Sequence, residues 1–190
     1  VGVKLGIDPR DIVAALESTE SVKGRMNLLP GIEGCRLIDD SYNAASPIGV
    51  LAALDTLSEF KGRKVAVLGN MNELGAKSEE AHKEVGRVAA KVADLVVVIG
   101  PEAERFLATA AIEAGMDKAT VKIFHTPYQA GHFLKSQVTK DDVVLVKGSQ
   151  NRVFSEEVSR ILLDPKLDPA NVLVRQSDFW KRKKKKAFAL

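Results

Sequence analysis

Leu95-Val96-Val97-Val98-Ile99, followed at once by Gly100-Pro101, decides the fold class of this chain. Five consecutive apolar residues, four of them β-branched, cannot alternate between a wet and a dry face. The segment therefore reads as a strand covered on both sheet faces, a pattern that belongs to parallel sheets flanked by helices. Gly100-Pro101 ends the strand and opens a helix expected to run to about Ala114, where Gly115 stops it.

The same rhythm extends to both sides. Upstream, Lys64-Val65-Ala66-Val67-Leu68 is a strand ending at Gly69, and Ser78-Glu79-Glu80 starts a helix. Its expected buried face is Ala81, Val85, Val88, Ala89 and Val92, with His82 exposed near the helix start. Further upstream, Cys35-Arg36-Leu37-Ile38 runs as a strand into Asp39-Asp40. Ser46-Pro47 then opens a helix with Ile48, Leu51, Leu54 and Leu57 at helical spacing. Downstream come a strand at 121–124, a helix opened by Thr126-Pro127, and a strand at 143–146 ending in Lys147-Gly148-Ser149. A last helix is expected over 152–163, where Pro165 bars continuation. Short strands alternating with helices predict an α/β, doubly wound, Rossmann-like and mostly parallel sheet with helices on both faces.

Two stretches stand outside this rhythm. Residues 1–24 suggest a short helix around Ile12, Ala15 and Leu16 and then a polar stretch, read as the end of a preceding unit plus a hinge. Residues 166–190 form an extension in which 172–174 are expected as an edge strand and Trp180 packs back on the body. The main domain is thus expected over 25–165.

Composition narrows the class. The chain has 190 residues, 45% of them hydrophobic and 28% charged, as in an ordinary globular domain. The single cysteine, Cys35, excludes an internal disulfide, and with only three histidines no metal-ligand spacing arises. No stretch approaches the ~20 apolar residues of a membrane span, and the N-terminus lacks the pattern of a signal peptide, so a cytoplasmic location is expected. The net charge of +3 is unevenly placed. Lys181, Arg182, Lys183, Lys184, Lys185 and Lys186 form a run expected to be solvated and disordered. Setting those six aside leaves 22 of the 28 basic residues against 25 acidic ones. The body is therefore mildly acidic, and no nucleic-acid partner is expected of it.

In an open parallel sheet, ligands bind outside the carboxyl ends of the strands. The polar residues collect there: Asp39-Asp40-Ser41-Tyr42-Asn43, Gly69-Asn70-Met71-Asn72-Glu73-Leu74-Gly75, Gly100, His125, and Lys147-Gly148-Ser149-Gln150-Asn151. This rim predicts a binding edge without naming a ligand. No phosphate-binding loop and no dinucleotide glycine fingerprint occurs, which disfavours a self-sufficient ATPase or nicotinamide enzyme. Of the adjacent carboxylates, one is expected to point inward as a structural cap. Asp39-Asp40 could bind a metal, pair a cation or hold sugar hydroxyls.

The strings Gly24-Arg25-Met26, Leu37-Ile38-Asp39-Asp40-Ser41-Tyr42-Asn43-Ala44, Ala66-Val67-Leu68-Gly69-Asn70-Met71-Asn72-Glu73-Leu74-Gly75, His82, and Leu145-Val146-Lys147-Gly148-Ser149 together resemble the C-terminal domain of the Mur ligase family. The spacings are most similar to the branch that joins D-alanyl-D-alanine to a UDP-N-acetylmuramoyl (UDP-MurNAc) tripeptide. The resemblance covers roughly residues 1–163. It implies an ATP-dependent amide ligase of peptidoglycan precursor synthesis, with ATP and Mg2+ held mainly by a central ATPase domain upstream in the same parent chain. Arg25 then corresponds to an arginine that reaches the ATP phosphates, Asp40 to a carboxylate near the ribose, and Tyr42 and Asn43 to the same nucleotide edge. Lys147, placed with Arg25 in a catalytic role, would face the amine substrate together with Ser149, Asn70, Asn72, Glu73 and His82. The sequence departs from the branch at Asn70, Asn72, Ala45-Ser46 and Gln150, around the implied amine site. A stand-alone ligand-binding module, or a related ligase with another acceptor, remain open as alternatives.

Overall fold

The structure, a computed structural model, describes residues 1–19 and 21–188. Among them, six strands form one sheet: β1 (Asn27–Pro30), β2 (Arg36–Asp40), β3 (Arg63–Gly69), β4 (Leu95–Ile99), β5 (Val121–Phe124) and β6 (Asp142–Lys147). Their spatial order is β1-β2-β6-β3-β4-β5. All pairings are parallel except β1 with β2. The strand β1 was not expected. Its half-exposed Asn27-Leu28-Leu29-Pro30 carries a proline that reads as a breaker, and an edge strand tolerates one.

The apolar run at β4 is buried throughout. Val96 and Val98 face one core and Leu95, Val97 and Ile99 the other. The first core lies under α2 (Pro47–Ser58), α3 (Ser78–Val92) and α4 (Thr109–Glu113). The second lies under α5 (Pro127–Lys135) and α6 (Glu156–Leu162). The helix expected from Gly100-Pro101 is present, but its middle, Ala103–Ala108, widens into π-helical turns before α4. Neighbouring strands β3 and β6 thus continue into helices on opposite faces, which opens a crevice at their carboxyl ends.

The short helix expected before the hinge is present, and the C-terminal extension is more structured than expected. Helix α1 (Pro9–Glu17) is capped by Asp8, which accepts from the Arg10 amide, and buries none of its residues. The expected edge strand at 172–174 does not form: Val172 ends a short helix, α7 (Pro169–Val172), which Asp168 caps and Pro169 starts, and 173–174 are irregular. The basic run is not disordered but helical, α8 (Asp178–Phe188). Lys184 is buried against acidic partners on α6, and Trp180 meets Phe154 edge-on, as its expected packing required.

Candidate functional site

Side chains alternate along strands, so register decides what meets at the rim. Ile38 and Leu145 face the α2 core, and two positions on, the same rows end in Asp40 and Lys147. These two are register partners, both 5% exposed. Lys147 Nζ donates to Asp40 Oδ2 at 2.6 Å and to the Asn43 carbonyl at 3.1 Å. An ammonium has three donors, so one remains for the space beside it.

That space is a cavity of about 300 Å³ lined by Arg25, Asn43, Ala44, Ala45, Ser46, Gly49 and Lys147. Ser46 and Gly49 belong to the start of α2, a 12-residue helix whose first amides have no intrahelical acceptor. The cavity is therefore electropositive, with one guanidinium, one ammonium and a helix N-terminus on its wall. Gly49 was not singled out from the sequence, whereas Ser46 was legible as a helix start and as a departure from the family branch.

Arg25 reaches the cavity through the turn at Gly24, which is buried with φ +70°. A Cβ on Gly24 would stand 3.0 Å from the Tyr42 amide, which donates to the Gly24 carbonyl. Arg25 then stacks on the Tyr42 ring at 4.4 Å. Arg25, Asp40, Tyr42, Asn43 and Lys147 thus converge at one end of the sheet.

The remaining expected residues are tied into the framework behind that edge. Ser149 Oγ donates to the Ala44 carbonyl and accepts from the Asn72 amide at 2.7 Å, clipping two rim loops together. The Asn72 side chain donates to the Asn151 carbonyl. Asn70 accepts from the Ala103 amide and so caps the widened helix. Glu73 is an exposed turn residue at φ +71°.

His82 corrects an expectation: it is fully buried rather than exposed. It follows Ser78 by four residues and precedes Gly86 by four, and both are buried on the inner stripe of α3. Its Nε2 accepts from the Met71 amide at 3.0 Å. An amide can only donate, so the ring proton sits on Nδ1, which donates to the Ser78 carbonyl at 2.8 Å. Burial lowers the pKa of this neutral ring. His82 holds the Asn70–Gly75 loop from beneath.

Asp39 is the inward carboxylate, on the opposite face. It accepts from Ser159 at 2.8 Å, while Oδ2 finds no partner. Burial raises its pKa to about 6, with the hydrogen bond from Ser159 pulling the other way. Cys35 is likewise buried, and desolvation pushes its thiol up to about 11, far from a reactive thiolate.

A family model described as "Mur ligase, glutamate ligase domain" matches residues 24–150. The UDP-N-acetylmuramoyl-tripeptide–D-alanyl-D-alanine ligase of Escherichia coli is 35% identical over 155 residues, 80% of this chain and 32% of that protein. A solved MurF structure from Acinetobacter baumannii shares 33% identity at a TM-score of 0.63, covering 84% of this chain and 34% of that one. MurF from Thermotoga maritima in complex with ADP shares 32% identity at a TM-score of 0.62, covering 84% and 36%. The chain spans about a third of the length of the relatives it matches. With a family model matching residues 24–150, most of this chain, and the rim in place, the chain belongs to the Mur ligase family.

Proposed function

We propose that this chain works as the C-terminal domain of a longer ATP-dependent ligase that joins D-alanyl-D-alanine to the carboxylate of a UDP-MurNAc peptide. The observation that carries this reading is the electropositive cavity at the strand ends, shared by Arg25, Asn43, Lys147 and the start of α2. Residues 1–24 are then the end of the central ATPase domain of the same parent chain and the hinge. The apolar Val13 and Leu16 of α1 support this, standing 53% and 69% exposed.

In this reading ATP phosphorylates the substrate carboxylate and ADP leaves. The amine then attacks the acyl phosphate, loses a proton and displaces phosphate. Arg25 approaches phosphate oxygens bidentately through its planar guanidinium, offsetting charge on the transferring group as the domains close. Lys147, already fixed by Asp40 and Asn43, keeps one proton directed at the same anion. Asp40 sets Lys147 in place and lies at the edge where a ribose would stand. Tyr42 and Asn43 form that edge, and the loop clipped by Ser149 and Asn72 forms the amine side. No group of three metal-ligating side chains exists among the described residues, and in this reading Mg2+ is held mainly by the central ATPase domain.

Arg25→Ala in the longer ligase is expected to cut turnover by roughly 100-fold. Its exposure and its single stacking contact mean that melting should hardly change. Steady-state kinetics beside a thermal melt check both, and unchanged turnover would end this reading.

A further inference from the structure

The family match stops at residue 150, yet the loop that shapes the nucleotide edge is held from beyond it. Arg175, 9% exposed and near the end of the chain, points its guanidinium beneath Ser41-Tyr42. Its Nη2 donates to the Ser41 carbonyl at 2.6 Å and its Nη1 to the Tyr42 carbonyl at 3.1 Å. The same group grips Glu156 of α6 in a two-pronged pair, Nε to Oε1 at 2.9 Å and Nη2 to Oε2 at 2.8 Å. The next carbonyl, Asn43, is held by Lys147. Three consecutive carbonyls are therefore pinned by two cations, one from each face of the sheet.

We propose that Arg175 is a positioning residue for the nucleotide edge: it sets the Ser41-Tyr42 backbone so that the Tyr42 ring supports Arg25. This rests on the reading of Arg25 and Tyr42 given above. The chain of contacts is short. Arg175 fixes the two carbonyls, the Tyr42 amide donates to Gly24, and the Arg25 guanidinium lies on the Tyr42 ring. Glu156 is the aiming group, because a carboxylate pairs with only one face of the guanidinium fork and leaves Nη1 and the second Nη2 proton for the carbonyls. Lysine carries the same charge but cannot serve a carboxylate and two carbonyls in one plane. The extension from 166 onward is thus part of the site rather than an appendage. It reaches the rim from the α6 face, opposite the cavity.

Two variants test this without depending on the fold collapsing. Arg175→Met leaves Glu156 paired with Lys184 at 3.0 Å, and Arg175→Lys keeps the charge. In the 190-residue chain, amide exchange at Tyr42 is expected to speed up about 10-fold in both, with Val97 in the central strand unchanged. In the longer ligase, both variants are expected to lose roughly 10-fold to 100-fold in kcat, with a smaller change in KM for ATP. Faster exchange throughout the sheet would mean a merely structural role and overturn the proposal. If Arg25→Ala lowers turnover but neither Arg175 variant does, the proposal alone fails. If Arg25→Ala has no effect, the nucleotide edge and Arg175's role at it fall together.

Discussion

On the α2 face, Asp40 and Lys147 meet in one strand register and open onto a cavity, with a proton of the ammonium left over. On the α6 face, Glu156, Glu157, Arg175 and Lys184 close over one another beneath α8, at most 9% exposed. Each carboxylate there has two cationic partners: Arg175 and Lys184 for Glu156, Arg160 and Lys184 for Glu157. The first cluster is minimal and unsaturated, as the proposed ligand site would require. The second is redundant and saturated, which suits a joint that must hold. Buried charges without partners are costly, so the two clusters should respond differently to loss of one member.

The largest effect is expected where there is no second charged partner. Asp40→Asn strands the Lys147 ammonium in a buried position and should destabilise the chain by about 3–5 kcal/mol, read by urea unfolding. A loss under about 1 kcal/mol would mean that the pair relaxes into water and is not the fixed element described above.

Redundancy should soften the second break. Lys184→Met leaves Glu156 with Arg175 and Glu157 with Arg160, so the expected loss is about 1–3 kcal/mol. Because Lys184 is the buried anchor of α8, Trp180 fluorescence should shift to the red as the helix lifts from Phe154. If Lys184→Met costs more than Asp40→Asn, the contrast between the clusters is wrong.

How much of this was legible follows the same division. The parallel sheet came from local signals: the apolar run at 95–99, helix starts at Ser-Pro and Thr-Pro, and strand ends rich in polar residues. The rim residues were legible for the same reason, since each follows a strand directly. What escaped depends on contacts between positions far apart in sequence. Nothing near Lys184 announces Glu156 and Glu157, so a six-residue basic run read as solvated. Arg175 looked unremarkable because its partners lie 19 and 133 or more positions away. His82 was within reach, because Ala81, Val85 and Ala89 already marked the inner stripe of α3, and position 82 borders it.

The smallest effect separates two buried groups that pull in opposite directions with pH. Asp39 binds its proton more tightly in the folded chain, its pKa being raised from 3.8 to about 6. Between those values the native state holds more protons than the unfolded one, so this group costs stability as pH rises and its full cost is present above about 6. His82 does the reverse. Its folded pKa is lowered from 6.5, so the unfolded chain takes up more protons and stability is lost as pH falls below that value. Protonation of Nε2 would also remove the acceptor for the Met71 amide and release the loop at Asn70–Gly75. In the natural chain the two slopes oppose each other on the acid side. Asp39→Asn keeps an oxygen for Ser159 and removes the charge, although its new amide group stands where Oδ2 has no partner. The variant should therefore gain only about 1 kcal/mol at pH 7.5. Below pH 6.5 its stability should fall more steeply than that of the unaltered chain, because the slope from His82 is no longer offset. Urea unfolding of both proteins from pH 5 to 8 checks this, and parallel curves would show that Asp39 carries no raised pKa in the folded chain.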